Sequence, residues 1–164
     1  GFKVTVLEKN PLVFTLLSDA YQRAQQVPKL KAILDRITIV HVDARDWFAK
    51  HANTEQAPDV IYLDPMYPIE SKMKAAPKKG MALARALVGK LDQADELVRA
   101  AVSCATSKTV LKRPYYAELS TGTLNDFRTR SVRFEVFTKE SWSAVGAPEV
   151  ERVPTFSSKK QLLL

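Results

Sequence analysis

A five-residue turn, Asp64-Pro65-Met66-Tyr67-Pro68, carries the most specific chemistry in the sequence, and it directly follows an apolar strand pattern. Pro65 removes a backbone donor and biases Asp64 away from helical geometry, so the turn is stiff. The Asp64 carboxylate can hold the N–H bonds of a planar amino group, and the Tyr67 ring can stack on a base. The turn therefore favours methylation of an exocyclic amine on a flipped-out base, with a plain surface turn as the alternative.

Carboxylates also end the two earlier strand patterns. Glu8 follows the run of residues 3–7, and Asp43 follows the run of residues 37–42. A carboxylate at the end of an early strand in this kind of sheet commonly accepts hydrogen bonds from ribose hydroxyls. Each acid by itself could be a helix cap or a solvated loop residue. Three successive strands that end in acids instead indicate that Glu8 and Asp43 flank one nucleoside.

Basic residues follow the turn closely, and residues 72–90 contain no acid. A run of positive charge is commonly only a solvated face, but this one lies beside a predicted base pocket. Contacts of Lys and Arg with phosphate dominate nucleic-acid affinity and orient the substrate. We therefore predict a substrate loop over residues 72–79. The predicted RNA contacts are Lys72, Lys74, Lys78, Lys79, Lys112 and Arg113.

Composition narrows the class of protein. The chain has 164 residues, with 25 Lys and Arg against 18 Asp and Glu, so its net charge of +7 favours an anionic partner. No apolar run reaches the ~18 residues of a membrane span. The first residues have neither the apolar region nor the cleavage site of a signal peptide. The single Cys104 excludes an internal disulfide and fits a reducing, cytoplasmic location. Two separated histidines predict no metal site.

Alternating strand and helix patterns must position these residues. Such alternation predicts an open, mostly parallel α/β sheet, whose ligands bind at the carboxyl ends of the strands. The third strand, almost wholly apolar, suits burial on both faces, and the alternating fifth suits an exposed or edge position. Residues 139–164 form a weakly patterned tail, with one further strand predicted at 150–156. The predicted strands cover residues 3–7, 37–42, 59–63, 108–111 and 132–137, and the predicted helices cover 11–26, 44–51, 81–91 and 92–105.

Several stretches resemble a known family. VTVLEKNPLVFTLLSDA, HVDA, VIYLDPMYP, VLKRP and RFEVF are similar to class I S-adenosylmethionine-dependent amino-methyltransferases. More narrowly, the chain resembles the ribosomal RNA small subunit methyltransferase J family over about residues 1–137, with DPMYP and KRP as the specific elements. The resemblance implies a Rossmann-like sheet with an antiparallel edge and S-adenosylmethionine as cofactor. It also implies methyl transfer to the N2 amine of a guanine in small-subunit ribosomal RNA or the 30S particle.

The resemblance also implies roles for individual residues. Matched by position, the strand-end acids and their neighbours would bind the cofactor, and the turn would hold the target base. It places Glu8 and Lys9 at the cofactor ribose, Asp43 and Ala44 at the adenine, Asp64 at the methionine moiety and target amine, and Tyr67 on the base. Pro65 is grouped with Asp64 and Tyr67 as a catalytic residue of the turn.

One part of the family pattern is missing from this sequence. The family's first strand and glycine-rich loop would precede residue 1, and no Gly-x-Gly occurs in the chain. That strand would lie in the middle of the sheet, between the strands of residues 3–7 and 59–63. We therefore expect residues 1–164 to form a single, N-terminally incomplete catalytic domain, with a gap between those two strands.

Two alternatives stay open at this point. The DPMYP turn suits adenine N6 or another amino group of DNA or RNA as well as guanine N2. The basic residues would equally suit a nucleic-acid-binding module without catalysis. The position of the transferred methyl group separates the first alternative from the leading hypothesis, and binding of S-adenosylmethionine separates the second.

Overall fold

The computed structural model of the chain describes residues 1–65 and 94–145. Within these two ranges the chain forms an α/β structure, as predicted. The helix expected at 81–91 and the strand expected at 150–156 lie outside the described residues. The strands are β1 (Val4–Glu8), β2 (Ile37–His41), β3 (Val60–Leu63), β4 (Lys108–Pro114), β5 (Asn125–Arg128) and β6 (Val132–Phe137). The helices are α1 (Pro11–Gln25), α2 (Pro28–Leu34), α3 (Ala44–His51), α4 (Ala94–Cys104) and α5 (Lys139–Ser143).

Local capping explains where the helices begin. The Asn10 side chain accepts hydrogen bonds from two backbone N–H groups of α1, and Pro11 occupies its first turn. Asp43 caps α3 in the same way. Helix α1 ends at Gln25, close to the predicted end at residue 26, and Pro28 begins the short helix α2, which the sequence analysis did not predict. Proline suits the first turn of α1 and of α2 because the first N–H groups of a helix have no intrahelical partner.

The strands of the described residues form two sheets. β1 and β2 pair in parallel, and a second sheet has the order β3-β4-β6-β5. β3 and β4 are parallel, whereas β4, β6 and β5 are antiparallel neighbours, which confirms the predicted antiparallel edge. In the part of the chain that the structure describes, β1 and β3 are not partners. Among the described residues these two strands therefore belong to separate sheets.

One hydrophobic core joins the two sheets. Phe48 of α3, Leu63 of β3, Leu111 of β4 and Val102 of α4 are buried in a single cluster, and Leu7 of β1 packs against it. Helices α3 and α4 pack on each other. Burial of each large apolar side chain contributes about 1.5–3 kcal/mol. The core therefore holds the ends of β1, β3 and β4 in one body.

Strand β3 departs from the expectation of burial on both faces. Ile61 and Leu63 are buried in the core, but Val60 and Tyr62 are 53% and 55% exposed. Successive side chains of a strand point to opposite faces of the sheet, and α4 packs against one of them. Within the described residues, the opposite face of β3 is therefore open to solvent.

The expectation of an exposed or edge position for β6 is wrong. β6 lies between β4 and β5, and its charged residues Arg133 and Glu135 are only 3% and 0% exposed. Arg133 Nε donates to Glu135 Oε1 over 2.9 Å. Buried charges are tolerated when they are paired and hydrogen-bonded. A polar–apolar alternation therefore did not reveal which face is buried, because the polar residues neutralise each other inside.

Two further elements differ from the sequence prediction. β4 continues through Lys112 and Arg113 to Pro114, because β6 pairs with it as far as Val132. The short edge strand β5 was not predicted. Helix α5 was also missed inside the weakly patterned tail, although Thr138 and Ser141 form a capping box there. None of the helices in the described ranges has the length and apolarity to cross a membrane.

Replacement of Glu135 by glutamine should destabilise the protein by about 3–5 kcal/mol, because the buried Arg133 guanidinium then lacks its counterion. Urea unfolding followed by circular dichroism measures the change. The matched control is Glu118→Gln, which removes an exposed carboxylate from a loop on the same sheet and should leave the midpoint nearly unchanged. Equal midpoints for the two variants would contradict the buried-pair explanation.

Candidate functional site

The ends of β1 and β2 form one cluster of charged groups. Glu8 and His41 are register partners in the parallel pair, and Asp43 follows two residues after β2 ends. The Lys9 ammonium lies 3.9 Å from Asp43 Oδ2. We call Glu8, Lys9 and Asp43 the β1–β2 corner. The structure therefore brings together the first two strand-end acids, as the sequence predicted.

Glu8 is oriented by the chain that follows it. Its Oε1 atom accepts a 2.6 Å hydrogen bond from the backbone N–H of Asn10, just before α1 begins. The side chain is partly buried. A carboxylate has about four acceptor positions, so one such bond fixes its direction without using its capacity. Glu8 can accept hydroxyl hydrogen bonds at the sheet edge while its orientation is held.

Asp43 has the role of a helix cap, which was the plain interpretation of this acid. Its Oδ1 accepts from the backbone N–H of Arg45, and its Oδ2 lies 3.0 Å from the Arg45 Nη2. The Arg45 side-chain hydrogen bond lowers the pKa of Asp43 below its usual range, against the opposing effect of burial. Asp43 is therefore ionised and held at the start of α3, whose first residue is Ala44. A fixed carboxylate in this place remains able to accept further hydrogen bonds.

The ends of β3 and β4 form a second cluster, which we call the β3–β4 corner. Leu63 and Leu111 are register partners, so Asp64 and Lys112 come next to each other after them. Lys112 Nζ lies 2.8 Å from Asp64 Oδ2, and about half of the Asp64 side chain is exposed. The hydrogen bond that Lys112 donates to Asp64 raises the pKa of Lys112. Burial, and then the Asp64 charge, raises the pKa of nearby Tyr62.

Sequence reasoning missed the pairing of Asp64 with Lys112 and assigned Lys112 only to RNA. The signal was available, because both residues directly follow an apolar strand run, and parallel pairing then sets them side by side. The contact makes Lys112 a partner of the acid in the turn. A phosphate contact by Lys112 stays a prediction.

Arg113 points in another direction. Its Nη1 donates to Ser120 Oγ and lies 3.8 Å from Glu135 Oε2, so its guanidinium joins the buried ion pair of β6. The Arg113 side chain is only 22% exposed. Its predicted contact with RNA has no support in this placement and stays a prediction.

Part of the predicted site lies outside the described residues. The structure places Asp64 and Pro65 of the turn, with Pro65 partly buried. Tyr67 and the four lysines of residues 72–79 are outside the described ranges, so their roles stay predictions. In the described ranges, no group of three or more His, Cys, Asp or Glu side chains could hold a metal ion.

The chain is similar to known methyltransferases in both sequence and structure. The model of the SAM-dependent methyltransferase family matches residues 1–139. Proteins named "Ribosomal RNA small subunit methyltransferase J" from Nitrosococcus oceani and Vibrio vulnificus are 36% and 39% identical over 139 and 150 residues, which are 84% and 87% of this chain. A crystal structure of a SAM-dependent methyltransferase from Neisseria gonorrhoeae superposes with a TM-score of 0.64 at 31% identity.

The chain spans about half the length of these proteins. It covers 54% of the Nitrosococcus protein and 58% of the Vibrio protein. The structural match covers 83% of this chain and 52% of the Neisseria chain. The similarity therefore extends over most of this chain and only part of each relative.

Replacement of Asp64 by asparagine should lower the pKa of Lys112 toward its ordinary value near 10.5, because the hydrogen-bonded carboxylate is lost. Since that pKa is raised in the folded protein, the pair is complete below pH 10.5 and is lost as the pH rises through the raised value. NMR titration of the labelled lysine Cε–H groups measures the shift. Asp59→Asn, at the opposite end of β3, should leave the Lys112 titration unchanged. An unchanged Lys112 titration in Asp64→Asn would show that the pair does not persist in solution.

Proposed function

We propose that this chain, which belongs to the SAM-dependent methyltransferase family, acts in methyl transfer from S-adenosylmethionine to the exocyclic N2 of a guanine in small-subunit ribosomal RNA. The single observation that carries the proposal is the Asp64–Lys112 pair at the carboxyl ends of β3 and β4. Ligands bind at this edge in open α/β sheets. The relatives' name supports the choice of ribosomal RNA as substrate.

The β1–β2 corner fits the nucleoside part of the cofactor. We propose that Glu8 and Lys9 hold the ribose and that Asp43 and Ala44 hold the adenine. The Glu8 carboxylate is already oriented by a backbone N–H, which suits an acceptor for two neighbouring hydroxyls. Asp43 is ionised at the start of α3, where it can accept an N–H bond without moving. Both acids are therefore preorganised before the cofactor binds.

Asp64 is the proposed catalytic residue. When bound, S-adenosylmethionine supplies an electrophilic methyl group, and the attacking amine needs alignment more than proton transfer. We propose that Asp64 accepts an N–H bond from the amine and stabilises the positive charge that develops on nitrogen. Lys112 holds the Asp64 carboxylate through its 2.8 Å contact, and Pro65 stiffens the backbone that follows. The Tyr67 ring would stack on the base.

The RNA partner is proposed from charge. A net charge of +7 and the lysines after the turn suit contacts with phosphate near the target base. We propose small-subunit ribosomal RNA, free or within the 30S particle, as the partner, and a cytoplasmic location where that RNA is found. The proposed phosphate contacts are Lys72, Lys74, Lys78 and Lys79.

The product of the complete reading frame should transfer tritium from labelled S-adenosylmethionine to ribosomal RNA, with the label in N2-methylguanosine. Asp64→Ala should lower kcat by about a hundredfold or more, because the acceptor that aligns the amine is lost. Nucleoside analysis by chromatography locates the methyl group. The matched control is Asp59→Asn, which alters an acid at the amino end of the same strand and should keep full activity.

Three outcomes would contradict parts of this proposal. Label in N6-methyladenosine would overturn the choice of guanine, and label in DNA would overturn the choice of RNA. Failure of the complete protein to bind S-adenosylmethionine in calorimetry would favour a nucleic-acid-binding module without catalysis.

Replacement of the four lysines at 72, 74, 78 and 79 by serine should weaken RNA binding and flatten its salt dependence. Each lost phosphate contact should reduce the slope of log K against log salt by about 0.7–0.9. The control replaces Lys29, Lys31, Lys50 and Lys108, which are exposed on α2, α3 and the start of β4. This control removes the same charge, so an equal effect would show that only net charge matters.

A further inference from the structure

Two neighbouring tyrosines lie on the surface directly after β4. Tyr115 and Tyr116 are 55% and 37% exposed, and their rings meet edge to face with centroids 5.5 Å apart. They follow Lys112, whose ammonium holds Asp64, by three and four residues. A strand advances about 3.3 Å per residue, so the Cα atoms of the two tyrosines lie within roughly 10–13 Å of the Lys112 Cα atom.

A second loop comes to the same edge of the sheet. The backbone N–H of Tyr115 donates to the carbonyl of Ser131 over 3.3 Å, and Pro114 is the register partner of Val132. The turn between β5 and β6 therefore lies beside the tyrosines. Arg130 is the exposed cation of that turn. An exposed aromatic pair and an arginine thus share the edge where the Asp64–Lys112 pair stands.

Buried charges anchor the loop that carries the tyrosines. Arg133 donates through Nη2 to the carbonyl of Ala117, and Glu135 Oε2 accepts from the backbone N–H of Ser120. Arg113 Nη1 donates to the Ser120 hydroxyl from the same buried group. These hydrogen bonds hold the loop against β4 and β6, while the two tyrosine rings remain exposed. A surface held in this way loses little conformational entropy when it binds a partner.

We propose that Tyr115, Tyr116 and Arg130 form a second contact surface for RNA, the tyrosine–arginine surface, which binds unpaired nucleotides next to the target base. The proposal rests on the proposed function. Aromatic faces stack on bases of any sequence, and arginine contacts phosphate. When the target base leaves its stack, the nucleotides next to it become unpaired. The tyrosine–arginine surface lies at the same sheet edge as Asp64, where those unpaired nucleotides would be held. The ionic network of Arg133 and Glu135 gives it a fixed position.

The test measures binding of a fluorescent small-subunit ribosomal RNA transcript to the product of the complete reading frame. Y115A/Y116A should raise Kd by about fivefold to a hundredfold while the slope against log salt stays unchanged, because stacking is lost and charge is kept. R130Q should reduce that slope by about 0.7, the value for one phosphate contact on a single strand. Calorimetry with S-adenosylmethionine should give the wild-type Kd for every variant.

Matched variants separate stacking from folding. Y115F/Y116F keeps the aromatic faces and should bind RNA like the wild type. R99Q removes an exposed arginine from α4 and should leave the salt slope unchanged. Wild-type affinity in Y115A/Y116A would overturn the proposal. Loss of cofactor affinity in the same variant would also overturn it, since the tyrosines would then be structural.

The failure of this proposal is distinct from failure of the proposed function. If the unaltered protein neither binds the transcript nor methylates it, the proposed function is rejected, and the proposed tyrosine–arginine surface is rejected with it. If the unaltered protein methylates ribosomal RNA but the tyrosine variants bind as well as it does, only the tyrosine–arginine surface is rejected.

Discussion

Parallel pairing of β3 with β4 is the constraint on which the rest of the site depends. The two strands end at the same sheet edge, so residues that are 48 positions apart in the chain become neighbours, as the 2.8 Å contact between Lys112 and Asp64 shows. The same rule brings Glu8 beside His41, with Asp43 close by, at the end of β1 and β2. The acids of the two corners therefore take their positions from strand direction and register, and Asp43 also from its place at the start of α3.

The buried ion pair between Arg133 and Glu135 on β6 fixes the loop that follows β4. Buried charges gain little stability over apolar residues of similar size, so their presence needs a structural reason. Here Glu135 accepts hydrogen bonds from Arg133 and from the backbone of Ser120, and the Arg113 guanidinium lies 3.8 Å away as a second cation. These contacts tie the loop after β4 to the inside of the sheet. The loop and the end of β4 are thereby held in one arrangement at the edge where the proposed chemistry occurs.

Much of the fold and some of the site could be predicted from local signals. Asn10-Pro11 and the helical spacing after it located α1, and helix α3 was predicted with its observed bounds. The strand-end acids were found in the same way. The burial of β6 was not predictable, because a polar–apolar alternation has two faces and only tertiary contacts select one. Short elements such as β5 and α5 have too few residues for a periodic signal.

The sequence by itself determined the longer strands and helices, the acids that follow three strands and the positive charge after the turn. These properties depend on residue type and spacing along the chain, which are local. Only the tertiary structure decided that Lys112 meets Asp64, that Arg113 turns inward to Glu135, and that Tyr115 lies beside the turn of Arg130. Those contacts depend on register and on which sheet face the helices cover. Both are set by packing between elements distant in sequence.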